Sequence, residues 1–239
     1  MTERLAYRVR LSRRARRLWL KVTGRGEVEV VIPRGYDPAA IPGIVERERA
    51  WILAALARLE RQRQIAPTGP WQPPDQIELP AAGAAWQLTR RATAQPGVRV
   101  RQLGADRLEL AGRIEEMAAC REALDRWLLR QARSLLLPRL AAASRSLALP
   151  YRSATVRLQR SRWGSCSANG AISLNGRLLL LPLPLVDYVL LHELCHTRVR
   201  NHSPRFWALV ARHCPDHSRL RTELRLAGRN LPAWAAQMP

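Results

Sequence analysis

His192-Glu193-Leu194-Cys195-His196-Thr197-Arg198-Val199-Arg200-Asn201-His202 is the stretch around which the rest of the chain is organised. It reads H-E-x-x-H with another histidine six residues on. Positions i and i+4 share one face of a helix, so His192 and His196 offer two imidazoles to one metal ion. Glu193 adjoins the first of them, where a carboxylate serves as a general base toward water. The pattern is that of a zinc hydrolase site with three protein ligands, one open position and one base. Leu185-Val186-Asp187-Tyr188-Val189-Leu190-Leu191 leads into the motif, and its apolar, helix-compatible character predicts a buried helix beneath it.

Two imidazoles do not close a zinc site, so a third protein ligand is expected. His202, His213 and His217 are candidates. Glu223, in the amphipathic stretch from His217 to Leu224, is the carboxylate alternative, with the distant Glu116 behind it. His202 is best placed. Arg200-Asn201-His202-Ser203-Pro204 reads as a helix end, a turn and a new start, with Ser203 suited to the N-cap and Pro204 to the first helical position. Metzincins carry glycine in the middle of this linker; Val199 stands there instead, which argues against that class.

Upstream, Leu178-Leu179-Leu180-Leu181-Pro182-Leu183-Pro184-Leu185-Val186 is the most apolar run. It is too short to span a bilayer, and it reads as a buried strand, a proline turn and the start of the zinc helix, with Pro184 near the first position. Asn169-Gly170 predicts a β-hairpin, with Ile172 and Leu174 facing the core and Ser173 and Asn175 facing out. This hairpin is expected to form the upper rim of a cleft, with Arg162 and Asn175 as substrate contacts and an exposed edge that pairs with an extended peptide. Arg162 and Tyr188 are candidate oxyanion donors, whereas Trp163, Phe206 and Trp207 read as packing.

The remaining segments read as a mixed α+β chain. Tyr7 to Leu11, Leu18 to Val22 and Val28 to Ile32 alternate like strands, the last two joined by Thr23-Gly24-Arg25-Gly26. Asp37 to about Gln64 has helical periodicity, with Ile41, Ile44, Val45, Trp51, Ile52, Ala55 and Leu56 on the apolar side. Residues 65–75 hold four prolines and read as a loop or linker. Strands follow near Trp86 to Thr89, Val98 to Gln102 and Arg107 to Leu110. A long amphipathic helix runs from Glu115 to about Leu147 with Pro138 inside, and a further strand lies near Ala154 to Leu158. The expected organisation is a basic α+β N-terminal domain over 1–112 and a catalytic domain over 113–239.

Arg162-Trp163-Gly164-Ser165-Cys166-Ser167, Ile172-Ser173-Leu174-Asn175, His192 to His196 and Asn201-His202-Ser203-Pro204-Arg205-Phe206-Trp207 together resemble the YgjP-like, SprT-related zinc metallopeptidases in order and spacing. The basic start, Ser12-Arg13-Arg14-Ala15-Arg16-Arg17-Leu18 and then Val31-Ile32-Pro33-Arg34-Gly35, is similar to the N-terminal part of that family. The resemblance implies a compact zincin-like, minimal gluzincin-type C-terminal domain. It implies Zn2+ held by His192, His196 and His202, with Glu193 as the base, acting on protein or peptide substrates.

The formal charge is +21, from 40 bases against 19 acids, and Lys21 is the single lysine. Such a field attracts polyanions, so contact with nucleic acid is a competing reading, as is hydrolysis of a non-peptide substrate at the same zinc. A structural zinc has no need of a base and closes its fourth position, so Glu193 favours the catalytic reading. Cys120, Cys166, Cys195 and Cys214 show no paired spacing, which suits a reducing compartment. The first residues carry charges without an apolar core of a signal peptide, so a cytoplasmic location is expected. If the charge serves nucleic-acid contact, retardation of duplex DNA will weaken steeply with salt; a flat salt response would leave the arginines as a solvated surface.

Overall fold

A computed structural model describes residues 5–13, 15–23, 26–65, 71–159, 161–228 and 230–235. The chain divides into two compact units, Met1–Pro70 and Trp71–Pro239. In the first, β1 (Tyr7–Leu11), β2 (Trp19–Val22) and β3 (Val28–Ile32) form a sheet of order β1-β3-β2. β2 and β3 are an antiparallel hairpin and β1 joins β3 in parallel. Gly24 and Arg25 of the expected turn lie outside the described residues, while Gly26 takes φ 85°, which glycine tolerates without strain. Val28, Val30 and Ile32 point into a small core with Ile41, Val45 and Ile52.

The helical periodicity after Asp37 resolves into two helices, α1 (Ile41–Arg47) and α2 (Arg49–Ile65). They break at Glu48, whose backbone at φ −91°, ψ 8° leaves the helical basin. Trp51, expected on the apolar side, is instead exposed. Ile41, Val45 and Ile52 suffice to cover this small sheet, and an indole at 51 finds no place in their row.

The second unit begins with β4 (Gln76–Leu79), β5 (Ala84–Ala92), β6 (Val98–Gln102) and β7 (Arg107–Gly112), in the order β4-β5-β7-β6. β4 is an element the sequence reading does not contain. Its alternation spans four residues only, with Ile77 and Leu79 buried. One face of this sheet rests on α3 (Met117–Ser146), and Trp86 meets Trp127 edge-to-face with ring centroids 5.4 Å apart. Ile77, Leu79, Leu108 and Leu110 share one core with Leu124 and Leu128 of α3 and onward with Leu174, Val186 and Leu194. The compact units therefore part at Pro70/Trp71, and the boundary expected near Gly112 falls inside the second of them. The physical reason is that the sheet has a single apolar face and α3 is what buries it.

α3 runs through Pro138 without a break. It ends in a Schellman motif, with Leu149 N donating to Ser144 O at 3.1 Å and Ala148 N to Arg145 O at 3.3 Å. A second small sheet follows, β8 (Ser153–Arg157), β9 (Gly164–Cys166) and β10 (Ala171–Asn175), in the order β8-β10-β9. β9 and β10 pair antiparallel with Ile172 opposite Cys166, so the Asn169-Gly170 hairpin is present, and Gly170 takes φ 77° at its turn. β8 joins β10 in parallel.

The leucine run is not a strand. Gly176–Leu180 is a 3-10 helix, with Leu178 to Leu181 buried. Asn175 starts it by accepting a hydrogen bond from Arg177 N at 3.1 Å. Leucine, unbranched at Cβ, has no preference for a strand that would resist this. The helices α4 (Leu183–His196), α5 (Pro204–His213) and α6 (His217–Ala227) complete the unit. Among the described residues, no helix is long and apolar enough to cross a membrane.

Ala148 is the one described non-glycine residue at positive φ, 52°, in the position where a Schellman motif prefers glycine. Ala148→Gly is expected to stabilise the protein by about 1 kcal/mol, read as a raised midpoint in chemical denaturation.

Candidate metal centre

α4 carries the H-E-x-x-H residues on a helix buried along most of its length. Its axis ends at His196, Thr197 caps it, and the chain turns through Val199 to Ser203 into α5, with Pro204 in the first helical turn. This reversal brings His202 back over α4. The three Nε2 atoms converge: His192 to His196 at 3.2 Å, His196 to His202 at 3.2 Å and His202 to His192 at 3.1 Å. Three nitrogens held at about 2.0–2.1 Å from one tetrahedral ion stand roughly 3.3 Å apart, so this triangle fits a metal ion.

The local chemistry agrees with the geometry. His196 Nδ1 lies 3.0 Å from Val199 O, a contact that places the ring proton on Nδ1 and the lone pair on Nε2. Burial, aided by the neighbouring imidazoles, pushes His192 down to about 3, and burial also lowers His196. Both rings are thus neutral at neutral pH, the state a metal ligand requires. Phe206, the single phenylalanine of the chain, is fully buried beneath all three rings. Its ring stacks on His196 at 4.3 Å and meets His192 and His202 near edge-on at 5.0 and 4.9 Å. Trp207 stacks on the outer side of His202 at 5.6 Å.

Glu193 is 5% exposed and lies against Gly164 of β9. Burial pushes its carboxyl up to about 7, against the opposing pull of the Arg162 cation. Oε2 is buried with no hydrogen-bond donor among the described residues. Gly164 is what makes room for it. A Cβ there would stand 2.7 Å from both Cγ and Oε1 of Glu193. Glu193 opens, together with His192 and His202, onto a cavity of about 480 Å3 that Trp163, Tyr188 and Trp207 also line.

Of the third-ligand candidates, His202 joins the pair. His217 stacks on Trp207 at 5.8 Å, and Glu223 accepts a hydrogen bond from Arg219 at 2.6 Å. Among the described residues, the histidine triad is the one group of three or more donors arranged to hold a metal ion.

Asn175 does not face the cleft. Its side chain is 0% exposed and donates to Gln159 O at 3.0 Å and Arg162 O at 2.8 Å. Asn175 N also donates to Trp163 O at 2.8 Å. It is a buried clasp on the loop before β9, and strand alternation fails at this residue because β10 ends there and the 3-10 turn begins. Arg162 is exposed beside Glu193. Tyr188 is buried, as core packing requires, yet its ring lines the cavity. Cys166 is half-buried on β9, close enough to Glu193 for that carboxylate to add to the rise that burial causes in its thiol. All four cysteines are free.

A family model, the YgjP-like metallopeptidase domain, matches residues 16–227. The chain belongs to the YgjP-like metallopeptidase family. It is accordingly a peptide hydrolase that works with a metal ion. Two solved structures are similar over part of its length. The metallopeptidase zymogen of Pyrococcus abyssi abylysin is 25% identical over 38% of this chain and 96% of that one, with a TM-score of 0.33. The metallopeptidase zymogen of Methanocaldococcus jannaschii jannalysin is 16% identical over 38% of this chain and 94% of that one, with a TM-score of 0.35. No curated protein matches the chain.

The Gly164 contact yields a direct expectation. Gly164→Ala will displace the Glu193 carboxylate without touching an imidazole, so peptide hydrolysis will fall by about 10²-fold at unchanged metal content. Paired activity and metal assays read the two effects separately; retained activity would show that the carboxylate position is not critical.

Proposed function

We propose that this YgjP-like metallopeptidase is a zinc enzyme of zincin-like design, with His192, His196 and His202 as the ligands and Glu193 as the general base. The observation that carries the reading is the Nε2 triangle with sides of 3.1 to 3.2 Å, beside a buried carboxylate that opens onto the same cavity. Zinc supplies a Lewis acid that polarises a peptide carbonyl and makes a water a better nucleophile near neutral pH.

The residues of the chain supply the rest. Glu193 accepts the proton of the attacking water and hands it to the leaving amine. Its dry surroundings raise its basicity, and Arg162 limits that rise by favouring the anion. Phe206 holds the imidazoles in one orientation, which spares the site reorganisation at each turnover. β9 is an edge strand of its sheet and carries Gly164 against Glu193, so its open side is suited to receive an extended peptide as an added strand. In this reading Arg162, on the loop into β9, contacts that peptide. A purely structural zinc fits less well, because it gives no role to a buried carboxylate with an unused oxygen beside an open cavity.

Glu193→Gln is expected to keep stoichiometric zinc and lose about 10²–10⁴-fold in peptide hydrolysis. His192→Ala, His196→Ala and His202→Ala are expected to lose zinc, and stability with it. Metal analysis and casein-type proteolysis on the same preparations test both statements. Wild-type activity in the Gln variant would remove Glu193 from its role, and zinc retained by the His202 variant would remove the third ligand.

A further inference from the structure

The cavity beside the histidines has mainly apolar walls, formed by Trp163, Tyr188, Val189, Trp207 and Leu224, and one arginine, Arg221, reaches into it from α6. The guanidinium carbon of Arg221 lies 4.8 Å over the ring of Trp207. Stacking of this kind fixes the plane of the guanidinium and leaves its N–H edge free to donate.

The helix that carries Arg221 treats its two faces differently. On the outer face Arg219 donates to Glu223 at 2.6 Å and to Asp216 at 3.2 Å, a closed ion triad. On the inner face His217 stacks on Trp207, and Gly228, just past the helix end, lies beside Trp163, where an added Cβ would stand 3.5 Å from its ring. Arg221 shares that inner face and forms no ion pair with a carboxylate among the described residues. The one acid lining the cavity is Glu193, which sits against Gly164 at the reaction centre. A second hollow of about 610 Å3 continues along Trp163, Arg221 and Leu224 and adds Arg225. A cation held over an indole and lining an apolar-walled pocket, with the neighbouring acids already committed elsewhere, is built to receive an anion. A planar fork of donors matches a carboxylate.

We infer that this cavity is a substrate subsite selective for a carboxylate, read by Arg221 over Trp207. The carboxylate belongs either to an acidic side chain near the scissile bond or to the C-terminus of the peptide. The inference rests on the catalytic site proposed above and adds to it the class of substrate.

The test measures binding rather than turnover. Zinc-loaded Glu193→Gln protein is titrated calorimetrically with short peptides in matched pairs: Glu against Gln at each position, and free acid against amide at the C-terminus. The expected result is about tenfold tighter binding of the acidic member in one of the two series, and which series responds names the source of the carboxylate. Adding Arg221→Met is expected to abolish that difference. Adding Arg219→Met, which removes the same charge from the outer face of the same helix, is expected to preserve it. Equal affinities within every pair, including no binding of any peptide, would overturn the subsite. An equal loss in the Arg219 and Arg221 variants would also overturn it, because it would trace the preference to the overall positive field. Cleavage of the peptides by the Glu193→Gln protein would instead overturn the assigned base and leave the subsite standing.

Discussion

Three imidazole nitrogens within about van der Waals distance of one another are the constraint that the rest of the catalytic unit satisfies. Imidazole rings do not gather this way for their own sake, since each presents a polar edge to the others. They are held by what lies behind them. α4 fixes two of the rings through its helical repeat, and the turn into α5 fixes the third. Phe206, buried under all three, removes the space into which any of them could tilt. The carbonyl of Val199, in the turn after α4, completes the orientation of His196.

The opposite wall depends on a polar cluster buried away from the cleft. Asn175 uses its amide to hold the carbonyls of Gln159 and Arg162, and so sets the path of the loop that delivers Trp163 and Gly164 to the cavity. Arg177 follows it in the 3-10 turn, 4% exposed, and donates to Ala235 O at 2.7 Å. Burial lowers its affinity for a proton and the nearby Asp125 restores part of it. Trp71 Nε1 donates to Trp234 O at 3.1 Å, so the first and last described segments of this unit close over the same side. A buried cation of this kind contributes less to stability than to uniqueness, because few chain paths satisfy its donors.

Much of the fold is legible in the chain. Val28 to Ile32 reads as a strand and is one, buried at every residue but Glu29. Asn169-Gly170 marks its hairpin, and Ser203-Pro204 marks the start of α5. The misreadings are of a single kind, in that local pattern gives way to contacts formed elsewhere. The leucines after Gly176 look like a buried strand, but a capping asparagine and a close approach of Gly176 to Ala132 and Leu158 turn them into a 3-10 helix. Asn175 alternates outward along β10 on paper and is drawn inward by two carbonyls of a distant loop. Trp51 matches the helical repeat of its neighbours and is left exposed once the helix breaks at Glu48.

The sequence by itself determined the chemistry on offer. The spacing of His192 and His196 with Glu193 between them follows from the helix period, and that period is a local property of the backbone. Tertiary structure alone decided which further residues share the site. Gly164, Phe206, Trp207 and Arg221 reach it from three other elements, and no short-range rule relates a glycine on an edge strand to a glutamate 29 positions later along the chain. Periodicity records which face of an element is buried, but not which partner buries it.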